Sequence, residues 1–210
     1  MRLGIVSDTH GVYDQALSTI FTNVHQILHA GDVGQKGIDP NDILSKLEVI
    51  APTLAVRGNV DTGGPTDLFP ELRVLVLSGW KVLLLHMCGM PPKITTACQE
   101  LVTMHRPDVM VFGHSHKHGV CQHNGVLYIN PGSAGPARFK LPRTVAILRL
   151  PDKAETEILS CDLVSFITLD SKAPCRQAGK GAGKSSKRAA LYRCNLVQRP
   201  RRSSACRRKM

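Results

Sequence analysis

Five polar clusters interrupt an otherwise apolar pattern in this 210-residue sequence: Asp8-Thr9-His10, Gly31-Asp32, Gly58-Asn59, His86 and Gly113-His114-Ser115-His116. Carboxylates and imidazoles are the side chains that borderline divalent cations accept, and no thiol joins the series. Within a strand or its extended exit, residues i and i+2 point the same way. That spacing lets Asp8 with His10, and His114 with His116, each send two donors toward one place. A carboxylate such as Asp32 can use both oxygens to bridge two ions. Glycines ahead of Asp32, Asn59 and His114 permit sharp turns and close approach. A lone Asp-x-His is common, most Gly-Asp pairs are turns, and an isolated His86 would more often be a core histidine. The specificity lies in the ordered series, each member closing an apolar run.

Those apolar runs are the elements that must position the clusters. Arg2–Ser7 reads as a buried strand, and Leu17, Ile20, Phe21 and Val24 give helical spacing over 14–23. Val24–Ala30 is a second strand, running into Gly31-Asp32. Pro40 after Asp39 starts a helix carrying Ile43, Leu44 and Leu47. Thr53–Val56 is a third strand that empties into Arg57-Gly58-Asn59. After a Gly/Pro-rich turn at 62–65, hairpins are expected: Leu72–Leu77 with Lys81–Leu85, and two runs around Asn124-Gly125. Pro91-Pro92 opens a helix through His105, and Asp108–Phe112 is a strand ending at Gly113-His114. Strands at 144–150 and 155–160 close the core. This order implies an α/β fold of two packed sheets with helices outside. The clusters fall at C-terminal strand ends, where such folds bind ligands.

Charge divides the chain. Residues 1–170 carry 14 Lys/Arg against 16 Asp/Glu, whereas 171–210 carry 13 Lys/Arg and no acidic residue. The basic balance therefore belongs to a tail, and the expected organisation is one catalytic domain over 1–168 and a disordered basic extension over 169–210. Such a tail fits an acidic partner or a nuclear address, although a solvated extension without function fits equally well. No apolar run approaches the roughly 18 residues of a membrane span. The seven cysteines, odd in number and without a Cys-x-x-Cys pair, are expected to be reduced thiols in a cytoplasmic protein. With chemistry beginning at Asp8, no removable leader is expected.

Six segments in order resemble the calcineurin-like metallophosphoesterase superfamily: Gly4-Ile-Val-Ser-Asp-Thr-His-Gly11, His29-Ala-Gly-Asp32, Arg57-Gly-Asn59, Leu85-His86, Val111-Phe-Gly-His-Ser-His116 and Ile129-Asn-Pro-Gly-Ser133. The likeness covers about residues 1–165 and is nearest to small single-domain phosphodiesterases of bacterial and archaeal type, a group with a eukaryotic retromer-subunit branch. It implies a four-layer α/β/β/α sandwich of two mixed sheets, with metals at the strand ends between the sheets. By position it places one divalent ion on Asp8, His10, Asp32 and His116, and a second on Asp32, Asn59, His86 and His114. Asp32 would bridge them, and Asn59 and His86 would also meet the phosphate. The ions are expected to be Mn, Fe, Ni or Zn, with Mn favoured. The implied reaction is in-line attack on a small or nucleotide-like phosphate ester by hydroxide held between two ions roughly 3.5–4 Å apart, with no covalent enzyme intermediate.

The alternative is a retromer-subunit-like interaction scaffold with little catalysis; that branch typically lacks several of these histidines, and this chain keeps them all. A nucleic-acid enzyme using the basic tail is the third reading. Two departures from the pattern stand out. Val60 occupies a position where many members have a histidine that protonates the leaving group, and Met87 follows His86 where glycine is usual, so Met87 is expected to narrow the site. His29 is expected in the core or behind the ligands, His118 on the surface, and Asp61 either in a turn or salt bridge or beside metal-bound water. The hairpin over 72–85 could supply the edge of a homodimer.

Overall fold

The computed structural model describes residues 1–170 apart from 36, 37, 62–68, 139 and 157. The 62–65 turn and the basic tail beyond 170 thus lie outside the described residues. Ten strands and three α-helices are described. In chain order these are β1 (Arg2–Val6), α1 (Ala16–Ile20), β2 (Gln26–His29), α2 (Pro40–Glu48), β3 (Thr53–Ala55), β4 (Leu72–Leu77), β5 (Trp80–Leu85), α3 (Thr96–His105), β6 (Val109–Val111), β7 (Gly119–His123), β8 (Val126–Asn130), β9 (Thr144–Arg149) and β10 (Val164–Thr168).

They form two five-stranded mixed sheets, ordered β10-β9-β1-β2-β3 and β4-β5-β6-β8-β7. Parallel pairing joins β1 to β2 and β2 to β3 in one sheet, and β5 to β6 and β6 to β8 in the other; antiparallel partners flank both. Strand alternation builds the layers. Leu3, Ile5 and Leu28 face Val82, Leu84, Val109, Val111, Leu127 and Ile129 between the sheets. Val6 and Ile27 turn outward under Leu17, Phe21, Ile43 and Leu47 of the α1–α2 layer. Leu83, Leu85, Met110 and Tyr128 cluster with Cys98 of α3 on the other side. Three apolar seams therefore separate four layers, the expected α/β/β/α sandwich. Leu84 is fully buried in the central seam. Leu84→Ala should cost about 2–5 kcal/mol of stability in urea unfolding.

The local sequence explains most boundaries. Asp39 accepts Asn41 N at 2.9 Å and Pro40 occupies the first helical position, so α2 begins as expected. Ser78-Gly79 and Asn124-Gly125 make tight hairpin turns with all four residues at positive φ. Trp80 joins β5, and its indole donates to Pro151 O at 2.9 Å.

Three expectations are corrected. The 14–23 helix contracts to Ala16–Ile20, because the Asp14 carboxylate caps Ala16 N and the Thr22 hydroxyl returns to the carbonyls of Ser18 and Thr19. The third helix starts at Thr96, not at Pro91-Pro92: Thr95 Oγ1 accepts Cys98 N at 3.2 Å and sets the cap. The final strand is Val164–Thr168, since Asp152 closes a turn with Ala154 N and Glu155 N, and a 3-10 turn at Cys161–Leu163 then leads back to β9.

The expectation of seven reduced thiols also fails. Cys88 and Cys98 form a disulfide with Cα atoms 5.4 Å apart, tying the loop after β5 to the first turn of α3. Their separation of ten residues carries no local motif, so only the tertiary approach reveals the pair.

Candidate metal centre

The loops after β1 and β2 remain hydrogen-bonded beyond the strands. Asp8 N donates to Gly31 O (3.0 Å), His10 N to Asp32 O (3.0 Å) and Gly11 N to Val33 O (2.8 Å). From the other sheet, His114 N donates to Asp8 Oδ2 at 3.1 Å and Gly113 N to His86 O at 3.0 Å. Side-chain atoms at Gly58 and Gly113 would collide with Asp32 Oδ1 and Ser7 Oγ, so both positions need glycine for this approach.

Eight described residues other than glycine have positive φ, and five of them are Asp8, His10, Asp32, His114 and His116. Convergence therefore comes from left-handed turns in the strand exits. The expected extended alternation of i and i+2 is not the mechanism. Each such residue costs about 1–2 kcal/mol, a strain that proteins keep where function requires it. His114 is exposed, with φ 70°. His114→Gly should accordingly be more stable than His114→Ala by about 1 kcal/mol in urea titration, both having lost the imidazole.

All seven sequence-derived candidates meet in one chain of contacts. His10 Nε2 lies 3.4 Å from His116 Nε2, and His116 Nε2 lies 3.3 Å from Asp8 Oδ1. His10 Nε2 is 3.9 Å from Asp32 Oδ2, which is 3.3 Å from His86 Nε2. Asn59 Oδ1 then approaches His86 Nε2 at 3.1 Å and His114 Nδ1 at 2.8 Å. Donors bound tetrahedrally at about 2.0–2.1 Å from one ion lie about 3.3–3.4 Å from each other. The Asp8–His116–His10 and Asp32–His86 spacings match that figure. Two groups have ligand atoms within 4.8 Å of one another, Asp8–His10–His116 and Asp8–Asp32–His86. Asp8 is thus shared between the groups, as well as Asp32 lying between His10 and His86.

Chemistry at individual atoms also fits cations. Asp8 Oδ1 is fully buried, with no hydrogen-bond partner. With His86 Nδ1 held by Ala30 O at 2.7 Å, His86 Nε2 faces two acceptor oxygens. That arrangement needs positive charge, from a ring proton or a cation. Burial pushes Asp8 up to about 6 against the opposing Ser7 hydroxyl, which donates to Asp8 Oδ2 at 2.6 Å. Burial would raise Asp32 too, but the hydrogen bond and charge of His86 hold it below the ordinary carboxylate value. His86 moves reciprocally: burial lowers it, and Asp32 more than compensates. Burial, then the Arg138 charge, lowers His10 and takes His116 down to about 4. Burial likewise lowers His114. Neutral imidazoles beside ionisable carboxylates are the forms that bind metal.

Of the supporting residues, Asn130 and Ser133 lie in the sixth matching segment, whereas Asp61 and Arg138 belong to none. Buried Asp61 accepts Val33 N, Gly34 N and Gly58 N at 2.9–3.1 Å, so it staples two ligand loops together, the turn role of its two expected readings. Ser133 Oγ donates to Asp8 O at 3.0 Å, and Asn130 Nδ2 to Gly113 O at 2.7 Å. Exposed Arg138 brings positive charge to His10 and His116 from beyond the last matching segment. His29 is in the core as expected, with Nε2 2.9 Å from Thr9 Oγ1 and burial lowering its pKa to about 3. His118 is not a surface residue: it is partly buried, its ring 5.1 Å from that of Phe166. Met87 is 53% exposed and lines a cavity beside Asn59 and His86. Val60 contributes its backbone, donating to Asp32 Oδ1 at 3.0 Å.

Comparison with known proteins places these features in a wider group. The profile of the calcineurin-like phosphoesterase superfamily domain matches residues 1–153. A probable metallophosphoesterase from Methanothermobacter thermautotrophicus is 31% identical over 165 residues, covering 76% of this chain and 92% of the relative. The crystal structure of a single-mutant Vps29 from Entamoeba histolytica superposes with a TM-score of 0.59 at 19% identity, covering 73% of this chain and 88% of that one. An archaeal phosphodiesterase structure gives 0.58 at 21% identity, covering 80% and 99%. At these identities the two structures show a shared fold.

Proposed function

The chain belongs to the calcineurin-like phosphoesterase superfamily, and on that premise we propose that it is a dinuclear metal-dependent phosphodiesterase whose catalytic unit spans residues 1–168. The observation that carries this reading is the unbroken run of seven nitrogen and oxygen donors, from Asp8 through Asp32 to His114, with neighbouring atoms 2.8–3.9 Å apart. In this reading Asp8, His10, Asp32 and His116 hold one divalent ion, and Asp32, Asn59, His86 and His114 hold the other. Bound divalent ions supply Lewis-acid activation of water and of the phosphoryl oxygens.

The protein's own groups do the rest. Asn59 and His86 meet the phosphoryl group at the edge where the cluster opens to solvent. The Ala30 carbonyl keeps the His86 ring oriented, as carbonyl partners of ligating histidines do. Asp61 holds the Asp32 and Asn59 loops in register and the Ser7 hydroxyl the Asp8 and Asp32 loops, so little reorganisation accompanies charge build-up. Val60 has no ionisable group, so no side chain at that position donates a proton to the leaving oxygen.

Hydrolysis of bis(p-nitrophenyl) phosphate with added Mn²⁺ tests the proposal. Turnover that vanishes on chelation and returns with metal supports it. No turnover with Mn, Fe, Ni or Zn, together with stable capture of a protein partner, would favour the scaffold reading instead.

A further inference from the structure

Two cavities with no lining residue in common meet the candidate centre from different directions. One, of about 480 Å³, begins at His114 and is walled by Met90, Pro91, Phe112 and Val120. The other, of about 410 Å³, begins at Asn59 and His86 and includes Met87, Leu101 and the ion-paired Arg57 and Glu71. Asn59 lies within 2.8 Å of His114 and 3.1 Å of His86, so the two cavities open onto the same few atoms. Resting on the phosphoesterase reading, we propose that the substrate is a phosphodiester with one arm in each cavity, and that the His114-side cavity selects a planar apolar arm of aryl or nucleobase size.

The walls argue for that choice. Each cavity lies within the roughly 300–1,000 Å³ of small-ligand pockets. Met90, partly buried, presents its thioether to the cavity, a group suited to contact with an aromatic ring. Of the polar side chains lining it, which include His114, Ser115, Lys117 and His118, Asn130 is already committed. Its amide nitrogen donates to Gly113 O (2.7 Å) and Ser115 Oγ (3.1 Å), and its oxygen accepts Gly132 N (2.9 Å). A monoester would leave one cavity unused.

The cavity can be narrowed from two sides. Met90 is partly buried at the end of the loop tied down by Cys88. Gly119 lies opposite: a Cβ there would meet only the Met90 methyl, at 3.1 Å. Met90→Trp and Gly119→Leu are two independent ways to fill the space, and Val49→Trp, at a position 88% exposed beyond α2, is the control. With Mn²⁺ present, kcat/KM for phenyl p-nitrophenyl phosphate should exceed that for methyl p-nitrophenyl phosphate by at least about tenfold, mainly through KM. Both filling variants should bring the ratio near one, and the control should leave the ratio unchanged. A wild-type ratio near one, or a ratio that survives both fillings, overturns the proposal. Calorimetry separates its failure from failure of the phosphoesterase reading. Whether or not turnover occurs, 1-naphthylphosphonate should bind the wild type at least about tenfold more tightly than methylphosphonate. Loss of that preference in both variants supports the cavity assignment; equal binding to the wild type refutes it.

Discussion

Asp32→Asn is expected to reduce metal-supported turnover by about 10³-fold or more, in line with removing a group that organises transition-state charge. The carboxylate lies between both halves of the donor chain, with Oδ2 3.9 Å from His10 Nε2 and 3.3 Å from His86 Nε2. An amide keeps the size and can still accept Val60 N through one oxygen. It cannot supply the second anionic oxygen that two cations would share. The metal-free fold should therefore survive, which circular dichroism and urea unfolding check. Steady-state kinetics with bis(p-nitrophenyl) phosphate gives the activity, and a variant turning over at the wild-type rate would refute the bridging role.

Metal addition is expected to stabilise the wild-type chain by about 2.7–4.1 kcal/mol at free metal concentrations 100 to 1,000 times the dissociation constant. The effect should be largest above pH 6 and should shrink as pH falls through about 6. Asp8 sets the sign. Burial raises it to about 6 from an ordinary value of 3.8, so between those pH values the metal-free folded chain holds a proton that the unfolded chain has lost. Metal-free stability therefore falls as pH rises through that window. Cation binding requires the ionised carboxylate, so below about pH 6 metal must displace that proton and its stabilisation weakens. His86, which Asp32 raises, holds a competing proton that acts in the same direction, whereas His116, lowered to about 4, is largely neutral at pH 5 and above. Thermal unfolding with and without Mn²⁺ at pH 8 and pH 5 reads the difference. Equal shifts at the two pH values would show that Asp8 is not a ligand.

The sequence was most informative where one residue or one short run determined a local geometry. Asn124-Gly125 required a hairpin, Asp39-Pro40 a helix start, and Leu72–Leu77 with Lys81–Leu85 an antiparallel pair. The seven donors were legible because each ends an apolar run, and they meet in space. How they meet was not legible: left-handed φ at Asp8, His10, Asp32, His114 and His116 depends on hydrogen bonds between loops distant in sequence. Tertiary context also hid the Cys88–Cys98 bond and the loop-stapling role of Asp61. The misplaced last strand has a simpler cause. Residues 155–160 carry the apolar pair Ile158-Leu159, but the Asp152 turn and the pairing of Val164–Thr168 with β9 decide which segment joins the sheet.

The most direct measurement is the metal content of the purified chain after loading with Mn²⁺ or Zn²⁺ and removal of excess ion, made by plasma mass spectrometry. Two equivalents per chain, falling to one or fewer in Asp32→Asn, is the predicted result. A wild-type chain that retains none would contradict the account at its centre.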